Sequence, residues 1–160
     1  WSSEGLSPDA IREVRRLKAR MEAERLPRGA DPTLHTKLGR GGLSDVEWCV
    51  QMLQMRWGHA DAALRVTSTL AALHSLREDG YIDGEDASAL AAAWTLATRV
   101  RDACVLSKGS PSDLVPTTGR ELAGVAFLLG YRAGDYGTLV EDYRRVTRRA
   151  RVVMERLFYG

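Results

Sequence analysis

Apolar residues along the chain recur at intervals of three and four, and the stretches between such runs are short and polar, a pattern that predicts helices joined by brief connections. Ser7-Pro8-Asp9 combines a capping hydroxyl, a proline suited to a first turn and an acid suited to the positive end of a helix. A first helix is expected to start there and run to about Leu26, ahead of Pro27. Its buried stripe is Ile11, Val14, Leu17, the stem of Lys18 and Met21. A loop over Arg28 to Pro32 follows, Thr33 to Leu38 suits extended backbone, and Gly39-Arg40-Gly41-Gly42 breaks the pattern. Ser44 or Asp45 then caps a second helix with Val46, Cys49, Val50, Leu53 and Trp57 on its buried side. Thr67 or Ser68 opens a third through Leu70, Leu73 and Leu76, stopped by Asp79-Gly80.

Asp83 caps a long fourth helix carrying Leu90, Trp94, Leu96, Ala97, Val100, Cys104 and Leu106, which is expected to form the centre of the fold. After the Ser/Pro loop from Gly109 to Pro116, Thr117 or Thr118 starts a fifth helix with Leu122, Val125, Ala126 and Leu129, ending at Gly130. The last begins near Asp135-Tyr136 and places Leu139, Tyr143, Val146, Ala150, Val153 and Leu157 inside. The expected class is all-α: an antiparallel bundle of about six helices with a glycine-rich loop before the second. At 160 residues the chain has the size of one domain, so residues 1–160 are read as a single helical domain.

Alanine, leucine, arginine and glutamate dominate, which agrees with helix and leaves little room for sheet. The formal net charge of +2 is too small to argue for a nucleic-acid partner. Its distribution is uneven: Arg12, Arg15, Arg16, Lys18 and Arg20 crowd the first helix, and Arg144, Arg145, Arg148, Arg149, Arg151 and Arg156 crowd the last. Cys49 and Cys104 lie in apolar helical stretches without metal-ligand spacing, so they are expected to be small core residues in a reducing, cytoplasmic compartment. No apolar run has the length of a membrane span. The first residue is Trp rather than Met, which suggests a fragment or a processed chain.

Lys37 to Trp48 is the most informative stretch. Three glycines in four residues stand just before a helix whose free amides can hold an anion, with Lys37 and Arg40 alongside, so a phosphate contact is one reading. The other is a tight loop packed on a neighbouring helix, with Asp45 and Glu47 as favourable charges at the helix start. Asp83, Glu85 and Asp86 are read as helix-end charges rather than metal ligands, and His35, His59 and His74 as structural. Trp48, Trp57 and Trp94 fall on apolar helix positions and are read as core. Arg144, Arg145, Arg148 and Arg149 either meet an acidic partner or form a solvated face, and their four-residue spacing of like charge calls for an acidic neighbour.

The pattern Lys37-x-Gly39-x-Gly41-Gly42-x-x-Asp45-Val46-Glu47-Trp48, with Gln51 after it, resembles a signature of the glutamine synthetase adenylyltransferases. Arg65 to Leu73, the Trp94 to Arg101 segment and the ending Glu155 to Gly160 resemble the same family, the ending being similar to the C-terminus of its actinobacterial members. The uridylyltransferases of the PII signalling protein are similar more loosely. The resemblance implies a helical module lying C-terminal to a nucleotidyltransferase domain, in the half of the enzyme that transfers AMP from ATP to a tyrosine of glutamine synthetase. It implies glutamine synthetase, PII protein and the upstream domain as partners, and Mg and ATP as the parent's cofactors.

The carboxylate pair that would hold magnesium in such a domain is not found, so this chain is expected to be inactive alone. Gly109-Ser110 followed by Asp113 imitates the start of a nucleotidyltransferase motif without the Asp-x-Asp pair or the strands it needs, and is read as a decoy. On the resemblance, Lys37, Gly39, Arg40, Gly41, Gly42, Asp45 and Glu47 are expected at a nucleotide-side or domain-interface loop. The alternative is a regulatory platform that binds PII protein, or the matching module of a PII uridylyltransferase.

Overall fold

The computed structural model describes residues 4–160, which form six α-helices with no β-strand among them. The first, α1 (Pro8–Arg25), begins where Ser7 Oγ accepts the Ala10 amide at 3.2 Å. It ends at Leu26, which the following Pro27 holds in extended backbone. Next come α2 (Leu43–Trp57), a 3₁₀ turn at Ala62–Leu64, α3 (Thr69–Glu78) and the 25-residue α4 (Gly84–Lys108). The last two are α5 (Gly119–Leu128) and α6 (Thr138–Met154), with a π-helical turn at Glu155–Tyr159 closing the chain. Ser68 and Asp83 cap α3 and α4 through their side chains, as the sequence pattern predicts.

As expected, α4 is the centre: α2, α3, α5 and α6 all pack on it. Two apolar clusters meet along its length. One gathers Val46, Val50 and Leu53 of α2, Leu73 and Leu76 of α3, Leu90, Met154 and Phe158. The other gathers Ala97, Val100 and Cys104 of α4, Val125 and Ala126 of α5, and Leu139 and Tyr143 of α6. Trp94 packs against both. Cys49 and Cys104 are buried free thiols, and burial raises that of Cys49 to about 12.

Four local expectations are corrected. Thr33 to Leu38 is a succession of turns, joined to the α4–α5 connection by one antiparallel bridge between His35 and Leu114. Asp31 Oδ1 accepts both the amide and the hydroxyl of Thr33, at 2.8 and 2.7 Å, and this side-chain turn competes with extended backbone. Neither Ser44 nor Asp45 is the cap of α2; that position is Gly42, and Asp45 is turned inward. Leu17 and Leu106 are 43% and 75% exposed and belong to neither apolar cluster. At the C-terminus the wider π turn advances the buried register, so Phe158 is fully enclosed and meets Trp48 edge-on, with ring centroids 6.4 Å apart.

Candidate functional site

The glycine-rich loop is shaped by contact. Gly41 has φ +70°, and a β-carbon there would lie 1.9 Å from the carbonyl oxygen of Thr147 in α6. A β-carbon on Gly39 would meet the His35 carbonyl at 2.3 Å, and one on Gly42 the Thr36 carbonyl at 2.6 Å. The loop's amides are spent inside the protein. Gly41 N–H donates to Asp45 Oδ2 at 2.7 Å, and Gly42 N–H to the Gly39 carbonyl at 3.0 Å. Leu43 and Ser44 donate to the carbonyls of Thr36 and Lys37, both at 2.9 Å. What the segment offers to solvent is therefore the side chains of Lys37 and Arg40, which are exposed and enter no ion pair among the described residues.

Asp45 is the hub beneath this loop. Its Oδ1 accepts from Lys18 Nζ at 2.6 Å, and its Oδ2 from Arg151 Nη1 at 2.9 Å as well as from Gly41. Lys18 also reaches Glu22 at 3.0 Å, and Arg151 reaches Glu22 at 2.9 Å and Glu155 at 2.7 Å. Lys18 and Asp45 are almost wholly excluded from solvent, so each charge needs the others to offset its lost hydration. Burial works against ionisation of Glu22, but the hydrogen bonds from Arg151 and Lys18 prevail and hold its pKa below the usual value. Burial likewise works against the Arg151 cation, and Glu22, Glu155 and Asp45 outweigh it. The network ties α1, α2 and α6 around the loop. With its carboxylate oxygens and ammonium engaged, it acts as a clasp and contains no paired nucleophile and base.

The arginines of α6 divide into two groups. Arg144 donates to Thr33 Oγ1 at 3.2 Å and Asp31 Oδ2 at 3.1 Å, and Arg145 donates to Asp142 at 2.7 Å. These acids supply the neighbours that the like-charge spacing calls for. Arg148 and Arg149 are exposed and have no ion-pair partner among the described residues. Glu47 is half-buried and likewise unpaired.

The remaining candidates have local roles. Asp83 caps α4 by accepting the Asp86 amide at 2.8 Å, and Asp86 takes Arg156 at 2.5 Å. Asp113 pairs with Arg101 at 2.8 Å while its carbonyl accepts the Thr36 amide at 2.7 Å. His35 is buried, and its Nδ1 accepts the Leu38 amide at 3.1 Å. Among the described residues no group of three His, Cys, Asp or Glu side chains is placed to hold a metal ion. No described helix is long and apolar enough to cross a membrane. Sequence reasoning names Lys18 only as a stem on the buried stripe and Arg151 only as one of the arginines of the last helix, and does not name Glu22. The available signal was a lysine lying on the apolar stripe of α1, between Val14 and Met21.

A profile of the family described as GlnD PII-uridylyltransferase matches residues 12–158. The chain is also similar to the bifunctional glutamine synthetase adenylyltransferase/adenylyl-removing enzyme of several actinobacteria. Identity to the Streptomyces avermitilis protein is 59% over 160 residues, which is 100% of this chain and 16% of that protein. To the Streptomyces coelicolor protein it is 58% over 156 residues, 98% of this chain and 16% of that protein. To the Mycobacterium avium protein it is 49% over 158 residues, 99% of this chain and 16% of that protein. The chain thus spans about one sixth of the length of these curated relatives.

Proposed function

Because the chain belongs to the family described as GlnD PII-uridylyltransferase, we propose that it is the helical module of a cytoplasmic enzyme that adenylylates glutamine synthetase. In this reading residues 1–160 form one helical domain that lies C-terminal to a nucleotidyltransferase domain of the same polypeptide. That domain transfers AMP from Mg-ATP to a tyrosine of glutamine synthetase and so regulates nitrogen metabolism. Similarity over the full chain to relatives named for that activity supports the reading.

The observation that carries a role for this segment is the rigid seat of the glycine-rich loop. Asp45, Lys18 and Arg151 fix it from below, and its unpaired cations Lys37 and Arg40 face outward. A loop held in this way presents two positive charges at a defined place, and a neighbouring catalytic cleft that handles phosphates can use them without reorganising. This module's residues orient and enclose. Magnesium would be held by the neighbouring domain, where it would supply neutralisation of the nucleotide's negative charge. Lys37→Ala in the full-length polypeptide tests the loop's role. The expected result is slower AMP transfer with an unchanged circular dichroism spectrum, and unchanged kinetics would remove Lys37 from the nucleotide side.

A second reading is a regulatory platform that binds PII protein. The unneutralised Arg148 and Arg149 favour it, since exposed guanidinium groups suit an acidic protein surface. It predicts PII binding that needs no ATP and weakens in Arg148→Glu/Arg149→Glu.

A further inference from the structure

We propose that the groove between the glycine-rich loop and α6 is a binding site for a small phosphate-bearing anion, a pyrophosphate or the phosphate tail of a nucleotide, held between Arg40 and Arg148. The groove has a volume of about 330 Å³ and is lined by four arginines: Arg40 from the loop and Arg144, Arg148 and Arg151 from α6. That size is at the lower end of the range for small-molecule sites, so it suits a compact ligand and not a folded partner.

The charges in the groove are not equivalent. Arg151 is neutralised by Asp45 and Glu22 from beneath and by Glu155 at its side, and the Glu155 carboxylate is engaged in the same contact. Arg144 is partly neutralised by Asp31. Arg40 and Arg148 have no acidic partner among the described residues, so they leave two uncompensated positive charges, one on each wall. Among the described residues nothing accepts a hydrogen bond from either guanidinium, and a forked pair of such donors matches the oxygens of a phosphate group. Exposed Val152 gives the groove an apolar flank that adds no competing acceptor.

The walls are also fixed in relation to one another. Gly41, next to Arg40, abuts the Thr147 carbonyl, next to Arg148. The two arginines therefore project from backbone segments that touch, and a ligand joining them orders only their side chains. This site uses side chains, not the loop amides, which are already engaged. It requires no chemistry of the neighbouring domain and stands whether or not the polypeptide transfers AMP.

Arginine-selective modification of the full-length polypeptide with phenylglyoxal, read residue by residue by mass spectrometry, tests the site. Inorganic pyrophosphate at ten times its dissociation constant should slow modification of Arg40 and Arg148 roughly tenfold. It should leave Arg20 and Arg132, exposed and away from the groove, unchanged. In Arg148→Ala the protection of Arg40 should disappear. Protection by ATP but not by adenosine assigns the phosphate tail of a nucleotide as a source, and protection by pyrophosphate alone assigns the free anion. Absence of protection, slowing of Arg20 and Arg132 equal to that of Arg40 and Arg148, or protection of Arg40 that persists in Arg148→Ala would each overturn the proposal.

Discussion

Lys18 Nζ lies 2.6 Å from Asp45 Oδ1, with both side chains almost completely buried and the two residues 27 positions apart in the chain. Removing one partner of such a pair leaves a buried charge without compensation, at a cost of about 3–5 kcal/mol. Lys18→Met is therefore expected to lower the stability of the fold by that order in urea denaturation. Combining it with Asp45→Asn should cost less than the sum of the two single changes, by roughly 1–3 kcal/mol. Strict additivity would show that the two side chains act independently.

Gly41 and Gly29 separate conformation from close approach. Both have positive φ, +70° and +81°, but a β-carbon at Gly29 meets nothing within 4 Å, whereas one at Gly41 meets the α6 backbone. Gly29→Ala should cost about 1–2 kcal/mol, the strain of the left-handed conformation alone. Gly41→Ala adds overpacking, about 1–3 kcal/mol more. Equal urea midpoints for the two variants would mean that the loop does not press on α6 as described.

Much of the fold is legible in sequence because its determinants are local. Ser7, Ser68 and Asp83 announce their helices through hydroxyls or carboxylates that reach amides three residues on. The site is less legible because its determinants are distant. Asp45 reads as a helix cap, and only the meeting of α1, α2 and α6 makes it the acceptor of Lys18 and Arg151. Lys18 reads as a stem covering the core, yet its ammonium is buried with the stem. Leu17 and Leu106 keep helical spacing but stay outside both apolar clusters, and periodicity alone cannot say which apolar positions a partner will cover. Phe158 falls off the apolar stripe because a π turn breaks the 3.6-residue repeat on which the stripe is drawn.

His35 gives the fold a pH dependence of known sign. Burial lowers its pKa from 6.5, against an upward pull from Asp113, and Nδ1 is committed to accepting the Leu38 amide. The unfolded chain therefore takes up a proton that the folded chain resists, so this contribution is complete above pH 6.5 and is lost as pH falls below it. The depressed pKa of Glu22 acts in a separate window, below its ordinary 4.5. The urea midpoint should decline between pH 6.5 and 4.5, and His35→Gln should flatten that decline. An unaltered slope in the variant would assign the effect to other groups.

The most direct test of the central claim is AMP transfer from Mg-ATP to glutamine synthetase by the full-length polypeptide, compared with one ending just before residue 1 of this sequence and shown to remain folded. If the module orients the catalytic cleft or its substrate, transfer falls on the order of 100-fold in the shortened protein. An undiminished rate would contradict a part in catalysis or substrate docking.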